Sequence, residues 1–113
     1  MANAYNISLE QGSSYNINMT ARDSLGVLLN LSGYEARGGI KYGYGSTGYL
    51  TSFSAVVDPS YVSGIIRVSL TAEQTSQLPV TKGVYDVEVY ADNGYTFKAI
   101  RGYVDVFPEV TNL

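Results

Sequence analysis

An all-β, immunoglobulin-like antiparallel β-sandwich of about seven or eight strands is the fold this sequence predicts. Three observations carry the prediction. Apolar and polar residues alternate with a period of two through most of the chain. Turn residues interrupt that alternation every 8–12 residues or so. The period becomes helical only over residues 71–78, a stretch too short to stand alone.

Tyr5, Ile7 and Leu9 alternate with Asn6 and Ser8, and residues 11–14 end that strand. Tyr15, Ile17, Met19 and Ala21 alternate with Asn16, Asn18 and Thr20, which predicts a half-buried strand with its polar face outward. Residues 23–26 form a turn, and residues 27–31 are a short apolar run closed by Ser32 and Gly33. Residues 34–42 read as extended. Gly38 and Gly39 mark either a bulge or a close backbone approach within them.

Residues 43–48 are a Gly-rich loop with Tyr44 at its tip. The loop lacks the Gly-Lys-Ser/Thr ending of a phosphate loop and opens no helix. Residues 49–57 predict one strand, ended by Asp58, Pro59 and Ser60. Ile66, Val68 and Leu70 alternate with Arg67 and Ser69 in the next. Thr71 followed three residues later by Gln74 fits a capping box, and Pro79 stops the turn it opens. Leu70, Ala72 and Leu78 are its inward candidates, and the turn serves as a crossover between sheets. Asp92, Asn93 and Gly94 join two strands as a hairpin, because both central residues of an Asn-Gly turn tolerate positive φ. Val87 and Val89 then face inward. Asp86 and Glu88 face outward, within reach of Lys98 and Arg101, and Gly102 bends the second strand.

The chain has 113 residues, the size of one domain, read here as residues 1–113 with residues 108–113 as a C-terminal tail. About two-thirds of the surface of such a chain is buried on folding, enough for a core without disulfides. There is no histidine and no cysteine. The commonest general base, thiolate metal sites and the usual serine hydrolase triad are therefore excluded. Charged residues make up 15% of the chain, are scattered, and sum to −3. That argues against a nucleic-acid partner, which requires clustered Lys and Arg. No cofactor or metal is expected.

No stretch approaches the roughly 20 apolar residues of a membrane-spanning helix. Residues 1–10 lack the charged start and apolar centre of a signal peptide, so the expectation is a protein made without export or membrane insertion. The Asn-x-Ser/Thr triplets beginning at Asn6, Asn18 and Asn30 are accordingly read as coincidence.

The carboxylates are the remaining candidates for acid–base chemistry. Asp86 and Glu88 share one side of a strand, a spacing that a glycosidase would use. An ordinary solvated hairpin face accounts for them equally simply and far more commonly. Eleven tyrosines stand out, with Tyr34, Tyr42, Tyr44 and Tyr49 crowding one region. Strand packing with wet hydroxyls explains most of them, and interface contacts explain the rest.

The ordered set of landmarks resembles small β-sandwich virion proteins of tailed bacteriophages. Leu9-Glu10-Gln11-Gly12-Ser13-Ser14-Tyr15-Asn16-Ile17 carries the first part of the resemblance. Asp23 to Gly26 with Asn30 to Ala36 carries the second, and residues 66–78 the third. Val84 to Val89 and Gly102 to Thr111 complete it. The resemblance covers nearly the whole chain and implies a non-enzymatic docking subunit of the tail, baseplate or fibre-attachment region. It further implies location in the virion and several copies packed against other virion proteins. Sheet edges and the two termini are the expected contacts, with Tyr44, Tyr49, Pro108, Val110 and Leu113 as interface candidates. The alternative is a carbohydrate- or receptor-binding sandwich, supported by the clustered tyrosines and Asn-rich strand faces.

Overall fold

The computed structural model describes residues 3–43 and 48–108. The first sheet places β1 (Asn3–Ala4) and β2 (Ile7–Glu10) along β9 (Thr96–Phe107). It continues through β8 (Lys82–Ala91) and β4 (Tyr34–Lys41) to β5 (Thr51–Ser52). The second sheet has three strands in the spatial order β3 (Tyr15–Thr20), β7 (Ile65–Leu70), β6 (Ser54–Val57). A three-stranded sheet facing one centred on β4, β8 and β9 is the immunoglobulin-like arrangement. The ladders are antiparallel except where β1 and β2 run parallel to β9.

The period-two pattern does what it predicts. Ile66, Val68 and Leu70 of β7 meet Tyr85, Val87 and Val89 of β8 and Ile100, Val104 and Val106 of β9 in one core. Leu31 enters it from the loop before β4. In β9 the alternation changes phase. Val87 pairs with Ile100 and Glu88 with Lys98, so Ala99 is the extra residue of a bulge and is buried beside Ile100.

Several expectations are corrected. Residues 49–57 are not one strand. Thr51 and Ser52 pair with β4, whereas Ser54–Val57 pairs with β7 in the other sheet. The change falls at Phe53, whose N–H donates to Gly38 O at 2.9 Å. Its buried ring stands edge-on to Tyr85, 5.8 Å between centroids. Gly38 and Gly39 form no bulge, because β4 keeps register with β8 throughout. They permit close approach: a Cβ at Gly39 would lie 2.6 Å from the Tyr49 ring, and one at Gly38 would strike Asp86 O. Gly102 likewise makes room for the Tyr5 carbonyl, and the irregularity of β9 lies at Ala99 instead. In the β8–β9 turn only Gly94 has positive φ, at 87°. Its N–H donates to Ala91 O at 2.9 Å, so Asp92, Asn93 and Gly94 form the turn as expected, but Asn93 lacks the positive φ expected of both Asn-Gly residues.

The crossover helix α1 (Ala72–Ser76) has the capping box. Thr71 Oγ1 accepts from Gln74 N–H at 3.1 Å, and Gln74 Oε1 accepts from Thr71 N–H at 2.9 Å. Leu70 and Leu78 are buried as expected, but the most buried helical side chain is Thr75. Its hydroxyl donates to Ser13 O at 2.8 Å and accepts from Gly12 N–H at 3.1 Å, fixing the β2–β3 turn to the helix. Thr75→Val keeps the shape and strands both backbone groups. It should destabilise the domain by about 1–3 kcal/mol in urea unfolding. An unchanged midpoint would show that the hydroxyl clamp contributes nothing.

Candidate functional site

The two long sides of the sandwich differ. On one, residues 51–57 pass from sheet to sheet and hold β4 near β6. On the other, β3 borders the three-stranded sheet and β1–β2 borders the larger one, with no crossing strand between them among the described residues. A groove of about 370 Å³ lies there. Ala4, Tyr5 and Ile100 line it from one sheet, and Ile17, Met19 and Arg22 from the other.

The β3 edge is open in a defined way. Ala21 N–H donates to Gly64 O at 2.8 Å, which continues the β3–β7 register beyond Thr20↔Ile65. Hydrogen-bonded pairs alternate in an antiparallel ladder. Met19, Ile17 and Tyr15 therefore bond to β7, and the N–H and C=O groups of Asn16, Asn18 and Thr20 point away from it. The β6 side agrees: Asp58 N–H donates to Ile65 O at 2.9 Å, so β7 turns its odd-numbered residues to β6 and its even-numbered ones to β3.

The other edges are blunted. β5 has two residues and β6 has four. The β1–β2 edge breaks at Tyr5 and Asn6, where Asn6 Oδ1 accepts from Tyr103 N–H at 2.9 Å. Tyr85 donates its hydroxyl to Tyr5 O at the same break. Burial, then the neighbouring Tyr15 and Tyr5, push the Tyr85 phenol up, so it stays protonated and remains a donor. The β3 edge, by contrast, is six residues long and contains no charge, proline or bulge. Those are the devices that protect edges.

The outer face of the larger sheet carries a cluster of charges. Glu88 sits between Arg37, on β4, and Lys98, on β9; Lys98 Nζ is 2.7 Å from Glu88 and 3.2 Å from Asp86. Lys98 was the expected partner, and Arg37 was not foreseen. Arg37 also stacks on Tyr90, Lys41 on Tyr49 and Lys82 on Tyr103, with 4.4–5.1 Å to the ring centroids. Burial opposes ionisation of Glu88, but hydrogen bonds from Lys98 and Arg37 outweigh it and hold the carboxyl below its usual range. A general acid requires a shift in the opposite direction.

Tyr49 is half exposed on this face, its ring over Gly39. Pro108 follows β9 and is exposed at the same end of the sheet, with β4 and β8 separating the two. Tyr44, Val110 and Leu113 lie outside the described residues. Of the five candidates, the described residues thus include Tyr49 and Pro108, and these two lie apart. The residues that form the groove and the β3 edge were read from sequence as an ordinary strand. The signal available there was an uncharged alternation, Tyr15 to Ala21, with asparagine on its polar side.

No protein-family profile matches this chain, and no curated protein sequence does. Solved structures similar to it include the filamin domain of Lin-41, at 18% identity over 88% of this chain and 82% of that one, with a TM-score of 0.42. Another is a family 123 glycoside hydrolase from Clostridium perfringens, at 12% identity and a TM-score of 0.43. That match covers 98% of this chain and 24% of the hydrolase.

The ion pairs predict the acid behaviour. Glu88 is lowered by Lys98 and Arg37; Asp58 is lowered first by the Ser60 N–H and then by Arg67. A carboxylate whose folded value is depressed stabilises the fold above its unfolded value and loses that contribution as pH falls through the folded one. The urea midpoint should therefore drop between about pH 5 and about pH 3. Glu88→Gln should lower stability at neutral pH and flatten that drop. A variant with the wild-type acid slope would show that Glu88 does not contribute to the acid transition.

Proposed function

We propose that this chain is a non-enzymatic docking subunit of a phage virion, in the tail, baseplate or fibre-attachment region. It joins its neighbour by strand addition at β3. The observation that carries the docking part is the open β3 edge: three alternate residues with outward-facing backbone groups, no charge within the strand, and a groove alongside whose lining includes Ile17, Met19 and Ile100. Strand addition draws its affinity from main-chain hydrogen bonds and its specificity from pockets that take alternate side chains. The edge offers the first and the groove offers the second. The virion context rests on the ordered resemblance along the chain, and the low charge density agrees with a surface covered by neighbours.

Asn18 is exposed, and its backbone groups face outward. Asn18→Lys places a charge on the edge without touching the core, which is how natural edges resist pairing. The variant should keep the wild-type stability within about 1 kcal/mol, since the new ammonium faces only Arg67 across the ladder and Arg67 is already paired with Asp58. It should be depleted at least tenfold from purified phage particles that carry the wild-type chain at fixed stoichiometry, read by quantitative mass spectrometry. Wild-type incorporation of the variant would sink docking through β3. Absence of the wild-type chain from particles would sink the virion reading.

A further inference from the structure

The alternation along β3 goes further than an open edge, because it is its own complement. We infer that the partner at this edge is a second copy of the same chain, paired β3 to β3 in antiparallel fashion about a two-fold axis at Asn18. The inference rests on the docking reading above and names its partner.

Three properties of the strand single out this occupant. The first is parity. In a two-fold antiparallel pair, opposed residues share a face of the sheet, so the two residue numbers must sum to an even number. The outward backbone groups belong to Asn16, Asn18 and Thr20. A sum of 36 pairs Asn18 with Asn18 and Asn16 with Thr20, and it engages all three positions in both copies. Sums of 34 or 38 leave one of the three without a partner inside the strand.

The second property is the match of side chains. In the centred register the exposed Asn16 and Asn18 meet Thr20 and Asn18 on the outer face, amide and hydroxyl against amide. On the inner face Ile17 meets Met19, apolar against apolar, above the groove that both residues line. Ile17 is only partly buried within a single chain, and pairing completes its burial.

The third property is charge. A two-fold axis brings like residues close to one another, so any ionised side chain near it repels its copy. The chain carries a net charge of −3, yet residues 15–21 contain none. Along β3 a second copy therefore meets no like charge from the strand itself, and Arg67, across from Asn18 on β7, is paired with Asp58. The result is one continuous six-stranded sheet across the two chains, from the three strands of each.

The chain lacks cysteine, which makes the test direct. Opposed residues of a hydrogen-bonded antiparallel pair have Cα atoms about 5.5 Å apart. A disulfide spans that distance. Under mild oxidation by oxidised glutathione, Asn18→Cys should convert to a covalent dimer. Asn16→Cys alone should not, because its counterpart is Thr20. An equal mixture of Asn16→Cys and Thr20→Cys should again cross-link. Sedimentation velocity of the wild type over a concentration series should show a monomer–dimer equilibrium that Asn18→Lys abolishes.

A wild type that stays monomeric over the whole series would overturn self-pairing, as would an Asn18→Cys variant that cross-links no faster than Asn16→Cys. In either case the particle experiment with Asn18→Lys still decides docking separately. If that variant fails to enter particles, the edge binds a different chain. If it enters normally, both readings fall.

Discussion

The chain leaves one sheet for the other at Phe53, and the architecture of the edges follows from that crossing. Thr51 and Ser52 belong to the larger sheet and Ser54–Val57 to the smaller. The peptide on either side of Phe53 is a covalent strap along one flank, fastened by its bond to Gly38 O and by the Phe53–Tyr85 ring contact. β5 and β6 are short as a consequence, since each is half of a strand. Among the described residues, the opposite flank has no such strap. There the N-terminal strand closes the larger sheet alone, and β3 is left as a full-length border. An asymmetric sandwich of this kind protects three of its edges by shortness or interruption and leaves the fourth available.

The N-terminal strand shows how much local chemistry is spent on one of those protected edges. Gly102 lets the Tyr5 carbonyl approach β9, Tyr85 donates to that same carbonyl, and Asn6 replaces a backbone acceptor for Tyr103. These contacts split the strand into β1 and β2 while Ile7 and Leu9 still enter the core. The helix end is treated similarly, with Thr75 satisfying both backbone groups of the β2–β3 turn. Nothing comparable occupies the outward groups of Asn16, Asn18 and Thr20 among the described residues.

Much of the fold was legible because burial in a sheet has a period of two. Val87 and Val89, Ile66 and Val68, and the Thr71–Gln74 capping box all followed from spacing alone. The misreadings share one cause, which is that they depend on what lies across space. Residues 49–57 look continuous in sequence; only the positions of β4 and β7 make Phe53 a switch point. Gly38, Gly39 and Gly102 announce close approach, but what approaches (Asp86, Tyr49, Tyr5) is distant in the chain. The Asn-Gly pair announces the hairpin at residues 92–94, but of its two residues Gly94 alone takes the left-handed conformation. The site was less legible for the same reason. Whether a strand is central or an edge is a property of strand order. Tyr15 to Ala21 reads identically in either position, whereas tyrosines and chain ends stand out in the sequence itself.

Self-pairing depends on the backbone of β3, and amide hydrogen exchange measured by NMR reads that backbone residue by residue. In dilute solution Ile17 and Met19, bonded to β7, should exchange slowly, while Asn16, Asn18 and Thr20 exchange quickly. At high concentration the latter three should gain protection, and the alternation should vanish. Uniform slow exchange at all dilutions would mean that the edge is already covered within one chain. Persistent fast exchange at Asn16, Asn18 and Thr20 at every concentration would mean that no second copy pairs there.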